Sequence, residues 1–427
     1  MNEYLCLMIW IVVAVFFIGY FFIVIEHTIR LDKAATALIT GVLCWALYMY
    51  SSHDAQLVNH NLYEHIAEIA GILFFLIGAM TIVELIDLYD GFQLIIDKIK
   101  TTDKRKLLII VTLISFFLSA VLDNLTTAIV MASLVKKILS DKQDRLISIG
   151  MVVIASNAGG AWSPIGDVTT TMLWIGNQIS PIGVVRTVFI PSLIATIVPL
   201  GILLFKLKGS FIPIVNDDNN HINSSDQRVI LFSGISLLIF VPIFKMVTHL
   251  PPFMGMMLAV GILWLISEVL HKRQENNSSK PSSIFSALER IDMPSILFFM
   301  GILMAVSALQ SIGILKDVAT YLSLKMNNDS ILVAGIGLLS AIFDNVPLVA
   351  AVQGMFDLNQ YPTDHFFWRF LALCSGTGGS ILIIGSAAGV AAMGIEKISF
   401  FWYLKNISIA ALIGYLAGAL SYYLMSA

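Results

Sequence analysis

The sequence LSAVLDN occupies residues 118–124, and a near-copy, LSAIFDN, occupies residues 339–345, 221 residues later. Two further pairs of blocks repeat at almost the same spacing. ILFF at residues 72–75 returns at 296–299, and SNAGG at 156–160 matches SGTGG at 375–379. Near-constant spacing across three separated blocks indicates a duplicated membrane unit, and in transporters with this organisation the binding sites lie between such units.

The composition places the chain in a lipid bilayer. It is 58% hydrophobic and 12% charged over 427 residues, which leaves too little polar surface to cover a soluble globule. The net charge is −3 and there is no basic tail, so nucleic-acid binding has no support. No nucleotide motif, phosphate loop or nucleophile–base pattern is present. The sequence therefore predicts neither an enzyme nor an ATP-driven pump, and no cofactor.

Apolar runs occur in the same order in both halves. They cover residues 7–25, 34–50, 66–88, 107–139, 146–179 and 184–205, then 229–247, 253–270, 293–315, 331–356, 366–395 and 400–424. A crossing helix needs about 20 residues, and the pieces beside Asp123 and Asp344 are only about 13 to 16 long. These two runs are therefore predicted to be re-entrant hairpins. The runs 146–179 and 366–395 are predicted to cross once with an unwound centre. The first run has no basic residues before it, so we expect a retained span rather than a cleaved signal.

This order predicts an all-α polytopic fold of two inverted-topology repeats, each with five crossings, one re-entrant hairpin and one broken helix. Residues 1–208 form the first repeat, 209–227 a cytoplasmic linker, and 228–427 the second repeat. An odd number of crossings inserts the second repeat upside down. Lysine and arginine are concentrated in the loops of one side, for example at Lys104 and Lys142. That side is predicted to be cytoplasmic, with both termini outside.

An acidic residue lies at each predicted hairpin tip. The simplest interpretation of Asp123 and Asp344 is a helix N-cap. However, an ionisable group at bilayer depth costs about 2.5 to 3.5 kcal/mol on insertion scales, and a neutral residue would cap equally well. The positive end of the following half-helix favours the carboxylate, which then attracts a cation. Neutral oxygens suited to a hard monovalent ion follow the acids at Asn124, Thr126, Thr127 and Asn345.

The first broken helix has a polar centre in which glycine and proline free backbone carbonyls. A proline kink with hydroxyls bonded back to the helix is one interpretation, but a kink does not need the carboxylate of Asp167. The candidate ligands here are Asn157, Asp167, Thr169 and Thr170. In the second half Ser386 stands in place of Asp167. The two copies of the site therefore differ in charge, with the anionic oxygens concentrated in the first half and at Asp344. The candidate second-half ligands are Ser375, Thr377, Ser380 and Ser386.

Glu84 and Asp87 lie near the predicted cytoplasmic end of the third run. A solvated helix end explains Asp87, whereas for Glu84 a role in a proton path and a structural role stay equally open. His53, His60 and His65 cluster in a predicted outer loop, where pH sensing or metal binding is the less favoured interpretation.

Four motifs together resemble the NhaD-type sodium/proton antiporters of the ion transporter superfamily. They are EHIAEIAGILFFLIGAMTIVELID at residues 64–87, LDNLTT at 122–127, SNAGGAWSPIGDVTTT at 156–171 and FDNV at 343–346. The resemblance covers nearly the whole chain. It implies exchange of Na+ or Li+ for H+ across a bacterial inner membrane, and a fold that often has a dimeric scaffold. The functional positions it implies are Asp123, Asn124, Asn157, Asp167, Thr169, Thr170 and Asn345, with Asp344 beside them.

The leading hypothesis is a secondary antiporter in which Na+ and H+ compete for shared carboxylates, with sodium held at Asp123, Asp167 and Asp344. The expected partners are the lipid bilayer, the transported ions and a second copy in a homodimer. One rival is an ion-coupled carrier for arsenite or a di- or tricarboxylate. The dicarboxylate branch has Ser-Asn-Thr at its hairpin tips, and the Asp-Asn tips here argue against an anion. A second rival is a channel, which would conduct downhill without counter-flow.

Overall fold

The computed structural model describes residues 3–24, 31–52, 54–96, 101–211, 224–275, 284–325, 328–342 and 344–426. Regular secondary structure in these ranges is helical, apart from an isolated bridge between Asp103 and Ser210. Eight helices of the described part are long and apolar enough to cross a membrane. The predicted fold class, an all-α polytopic membrane protein, is therefore confirmed.

The helices are numbered here in chain order. They are α1 (Glu3–Val24), α2 (Lys33–Ser51), α3 (Ala55–Leu88), α4 (Gln93–Ile96), α5 (Lys104–Leu122), α6 (Asn124–Ile138), α7 (Lys142–Ala161), α8 (Val168–Ile175), α9 (Pro181–Leu204), α10 (Ser224–Thr248), α11 (Pro252–Glu275), α12 (Ile284–Arg290), α13 (Met293–Ile312), α14 (Ile314–Lys325), α15 (Asp329–Leu339), α16 (Asn345–Met355), α17 (Phe366–Gly378), α18 (Ala387–Glu396), α19 (Phe400–Asn406) and α20 (Ser408–Ser426).

Both predicted hairpins are interrupted at their acidic residues. Only Asp123 separates α5 from α6, and its φ of 84° turns the chain between the two helices. In the second hairpin, α15 ends at Leu339 and α16 begins at Asn345. The helical breaks are thus where the sequence predicted them.

The first arm of the first hairpin is longer than predicted. α5 begins at Lys104 because Asp103 Oδ1 accepts hydrogen bonds from the amides of Arg105 and Lys106, at 2.8 and 3.0 Å. The backbone bond from Lys106 is the main reason that the pKa of Asp103 lies below its ordinary value. Since α5 is long and apolar enough to cross a membrane, the re-entrant course of this hairpin stays a prediction.

Both predicted broken helices are broken. Residues 162–167 separate α7 from α8, and residues 379–386 separate α17 from α18. The start of α7 meets the end of α18, where Arg145 Nε lies 2.7 Å from Glu396 Oε1. The end of α8 meets the start of α17, where Ser180 donates to Asp364 from its amide at 2.8 Å and from its hydroxyl at 2.5 Å. The two broken helices therefore run antiparallel.

One compact unit consists of Met1–Ile77, Asp292–Asp329 and Val346–Pro362. Within it, α2 and α13 cross at glycines, since a Cβ on Gly41 would meet the backbone carbonyl of Gly301. Small residues at such a crossing let helix backbones approach closely. Nearby, Trp45 Nε1 donates to the Met304 carbonyl at 2.9 Å.

Two of the three predicted loop histidines lie on a helix. His60 and His65 belong to α3, which starts at Ala55, well before the predicted apolar run. The Leu57 amide donates to Asp54 Oδ1 at 3.0 Å, so Asp54 caps this polar extension. His53 lies outside the described residues.

The second compact unit consists of Gly78–Ile291, Ser330–Asn345 and Thr363–Ala427. Its main hydrophobic cluster is built from α5, α6, α7, α9 and α18 to α20. The rings of Phe116, Trp162 and Phe189 pack together there, with centroids 5.0 to 6.1 Å apart. All the predicted site residues belong to this unit. Each unit combines segments of both sequence halves, so the boundaries at residues 208 and 228 stay a prediction, and most of the 209–227 linker lies outside the described residues.

Candidate functional site

Four half-helices, α6, α8, α16 and α18, begin with the predicted polar residues. Asp123, Asp167 and Ser386 are the N-caps of α6, α8 and α18, and Asn345 is the first residue of α16. The two caps of the broken helices adopt the same backbone conformation, with φ and ψ of −146° and 142° at Asp167 and of −147° and 154° at Ser386. The serine thus occupies the position that the carboxylate occupies in the first half, as predicted.

Asn157 joins three of the polar segments. Its side chain is fully buried, and its Oδ1 accepts a hydrogen bond from Asn124 Nδ2 at 3.0 Å. Its Nδ2 donates to Ser380 Oγ at 2.9 Å and to Ser386 Oγ at 2.8 Å. A single amide therefore links the first hairpin tip to the centres of both broken helices.

Asp167 is a buried carboxylate, only 1% exposed. Its Oδ1 accepts from the Thr169 amide at 3.1 Å, and its Oδ2 accepts from Asn345 Nδ2 at 3.4 Å. The backbone of Gly376 is close by, since a Cβ there would lie 3.4 Å from Asp167 Oδ2. No ion pair of the described residues includes Asp167. A buried anion in this position is costly unless a proton or a cation neutralises it.

Asp123 caps its own helix, as the simplest interpretation of the sequence expected. It is partly exposed, and its two carboxylate oxygens accept from the amide and the hydroxyl of Thr126, both at 2.8 Å. The carboxylates of Asp123 and Asp344 are close enough to Asp167 to interact with it electrostatically. No group of three acidic, histidine or cysteine side chains in the described ranges is compact enough to hold a metal ion. A cation here would need neutral oxygens as well.

Buried hydroxyl groups supply such oxygens, but several of them are already engaged. Ser375 and Thr377 donate to carbonyls of their own helix at 2.8 and 2.6 Å, and Thr170 Oγ1 donates to the Ala161 carbonyl at 3.4 Å. Thr127 Oγ1 is buried without a hydrogen-bond partner among the described residues. Because an unsatisfied buried hydroxyl is destabilising, it is a natural place for an ion or a water molecule.

The chain matches the family model described as "Citrate transporter" over residues 20–368. It is 43% identical to "Sodium/proton antiporter 1" of Arabidopsis thaliana, with 95% of this chain and 71% of that protein covered. It is 41% identical to "Sodium/proton antiporter 2" of the same plant, with coverage of 95% and 97%. "Na(+)/H(+) antiporter NhaD" of Alkalimonas amylolytica is 31% identical, with coverage of 96% and 89%. The chain belongs to the NhaD-type sodium/proton antiporter family.

Membership of the NhaD-type family confirms the resemblance carried by the four motifs. The protein is a membrane transporter rather than an enzyme, as its lack of catalytic motifs predicted. Family membership does not by itself assign a role to the two aspartates at the hairpin tips, and their part in transport stays a proposal.

Glu84 makes no hydrogen bond or ion pair with this site among the described residues. It is partly exposed on α3, and its charged neighbours are Asp87 and Arg290. Asp87 Oδ2 lies 3.9 Å from Arg290 Nη1, with the Asp87 side chain 53% exposed. This exposure agrees with a solvated helix end at Asp87, whereas the role of Glu84 in a proton path stays a prediction.

Two serines outside the predicted set of ligands support the site. Ser119 Oγ donates to the Ser156 carbonyl at 2.6 Å, and Ser340 Oγ donates to the Ser375 carbonyl at 2.9 Å. Each bond attaches a hairpin arm to the broken helix of its own half. The signal was present in the sequence, because both serines occupy the same place in the repeated LSA blocks.

Proposed function

We propose that this protein exchanges Na+ for H+ across a membrane, with both ions competing for the carboxylates of one site. The observation that carries the proposal is the buried Asp167 carboxylate, which no cationic side chain of the described residues neutralises. Asp123 and Asp344 add negative potential to the same place. The names of the plant and bacterial relatives support sodium and protons as the two substrates.

Competition follows from the cost of burying charge. A protonated Asp167 is neutral, and a sodium ion beside the ionised form compensates its charge, so both states suit a buried site. The bare anion does not. If the site changes access only in its two neutralised states, each sodium ion moved one way is matched by proton movement the other way. The amide and hydroxyl oxygens of Asn124, Asn157, Thr127 and Asn345 would complete the coordination, since hard cations prefer oxygen ligands. Li+ is included as a substrate for the same reason.

In a bacterial cell the membrane would be the inner membrane, with both termini outside the cytoplasm. Inverted repeats and a homodimer belong to the same proposal. The antiparallel course of the two broken helices supports the inversion.

An anion carrier is the second candidate function, because the matching family model is described as a citrate transporter. A tricarboxylate needs cationic or neutral donors, whereas this site holds the buried Asp167 carboxylate, with which Asp123 and Asp344 interact electrostatically. Like charges repel strongly where water is scarce. We therefore expect citrate to be neither transported nor competitive with sodium.

The test uses purified protein in vesicles that enclose a pH-sensitive dye and are loaded with acid. Sodium or lithium added outside should make the interior alkaline. Potassium chloride and potassium citrate are added in parallel as controls and should give no such change. A response to citrate with none to sodium would favour the anion carrier. Ion flow without any counter-movement of protons would favour a channel. The absence of a response to every monovalent cation would overturn the proposal.

A further inference from the structure

Lys245 meets the carbonyl end of α8, the half-helix that begins at Asp167. Its Nζ donates to the Trp174 carbonyl at 2.9 Å and to Asn177 Oδ1 at 3.3 Å. The same Nζ lies 5.0 Å from the centroid of the Trp174 ring, a cation–π contact. Lys245 comes from α10, which is distant from α8 in sequence.

A lysine in this place has a physical reason. The carbonyl end of a helix carries a partial negative charge, so a cation there is stabilising. Lys245 is only partly exposed and lies near the end of a predicted membrane span. A lysine near a helix end can reach water, yet the Lys245 Nζ contacts the Trp174 carbonyl, the Asn177 side chain and the Trp174 ring instead. A neutral donor would have been enough to satisfy a single carbonyl.

The loop after α8 is held from a second direction. Thr363 Oγ1 donates to the Asn177 carbonyl at 2.7 Å, and the Asp364 carboxylate accepts two hydrogen bonds from Ser180. The carbonyl end of α8 is therefore fixed by α10 on one side and by the segment before α17 on the other. Since α8 is only about 12 Å long, a small tilt at this end moves the Asp167 end by a similar amount.

We propose that Lys245 is a positioning residue for the exchange of sodium and protons. It holds the carbonyl end of α8 and so sets where the Asp167 carboxylate lies relative to Asn345 and Asn157. The inference rests on the proposed function, because its readout is the exchange itself.

Lys136 offers a matched comparison. Its Nζ donates to the Ile395 carbonyl at 3.0 Å, at the carbonyl end of the other half-helix, α18. Two features distinguish it from Lys245: Lys136 is exposed, and the opposite end of α18 carries the uncharged Ser386. Removing Lys136 also deletes a lysine from the end of a half-helix, but it leaves α8 and Asp167 untouched.

The experiment compares Lys245→Met, Lys245→Arg and Lys136→Met in vesicles. We measure the half-saturating sodium concentration, the maximal exchange rate and thermal unfolding in detergent. Lys245→Met should raise the half-saturating concentration about threefold to tenfold, with a maximal rate within about twofold of wild type, because the ligand geometry rather than the transport cycle is altered. Lys245→Arg should restore most of the affinity, and Lys136→Met should change the half-saturating concentration less than Lys245→Met does, because α18 begins at an uncharged serine.

An unchanged half-saturating concentration in Lys245→Met would overturn the inference, even if thermal stability fell, because a purely structural lysine gives that result. If Lys245→Met does not insert into membranes, Lys245→Gln is judged by the same criterion. Failure of the wild type to exchange sodium for protons would instead count against the proposed function. The two failures are therefore distinguishable.

Discussion

Asp123 and Asp167 are both helix caps, but their surroundings differ. The oxygens of Asp123 are satisfied by Thr126 of the same turn, and the side chain is partly exposed. Asp167 is almost fully buried, and one of its oxygens has only the long bond from Asn345. A bound cation or a proton would therefore stabilise the Asp167 carboxylate more than the Asp123 carboxylate. We assign the main exchange role to Asp167 and a supporting electrostatic role to Asp123.

Asp167→Asn should lower exchange at least about a hundredfold. Asparagine caps a helix as well as aspartate does, so the fold should persist. A neutral amide neither compensates a sodium ion nor carries the competing proton. Dye-loaded vesicles measure exchange, and thermal unfolding in detergent checks the fold. The control is Asp87→Asn, at a side chain 53% exposed, which should keep roughly wild-type exchange. Full activity in Asp167→Asn would remove this residue from the site.

Proton competition also predicts a dependence on pH with a definite sign. At low pH the carboxyl is protonated and excludes sodium, so the half-saturating sodium concentration is high. As the pH rises toward the pKa of the site, this concentration should fall by up to about tenfold per pH unit, and above that pKa it should level off. Initial rates of exchange over a sodium series at each pH give the curve. A flat curve through the active range would mean separate sites for the two ions.

At the scale of helices, a close backbone crossing occurs in both halves. A Cβ on Gly159 of α7 would overlap the Phe116 carbonyl of α5, and a Cβ on Gly378 of α17 would overlap the Gly337 carbonyl of α15. The offset is 219 residues for the first member of each pair and 221 for the second, as in the sequence repeats. Each hairpin thus rests on its broken helix at a point where only glycine fits. This crossing places the hairpin tips next to the unwound centres.

Gly159→Ala should lower stability by about 1 to 3 kcal/mol, because the obstructing atom is backbone and cannot rotate away. Thermal unfolding of the purified protein in detergent measures the change. Gly335→Ala is the matched control within α15, where an added Cβ meets nothing within 4 Å. It should be neutral or slightly stabilising, because alanine favours the helix. Equal stability of the two variants would contradict the crossing as described.

The sequence predicted the breaks at Asp123 and near Asp344 because the apolar pieces beside these residues are shorter than a crossing helix needs. It also predicted that Ser386 replaces Asp167, since the repeat spacing aligns them. It did not predict that α3 continues through His60 and His65, because that extension is polar and has no apolar period. Nor did it pair Asn157 with Ser380 and Ser386 or Lys245 with Trp174. Such partners are brought together by packing, which local sequence patterns do not encode.

For the whole molecule, the antiparallel broken helices bear directly on how the chain is inserted. Arg145, near the start of α7, pairs with Glu396 at the end of α18, whereas Asp364, before α17, holds Ser180 after α8. If each broken helix crosses the bilayer, the starts of α7 and α17 lie on opposite faces. Inverted repeats require this arrangement, and two repeats of the same orientation would forbid it.

Single cysteines at Lys142 and Thr363 test the insertion. Both positions are exposed, one at the start of α7 and the other just before α17. Cys44 and Cys374 are buried, so replacing Cys6 by serine should leave little background labelling. A membrane-impermeant maleimide applied to intact cells should label Thr363→Cys at once. It should label Lys142→Cys only after the membrane is permeabilised, because the lysine-rich side is predicted to be cytoplasmic. Labelling of both positions from the same side would rule out the inverted insertion, and with it the crossing of the bilayer by both broken helices.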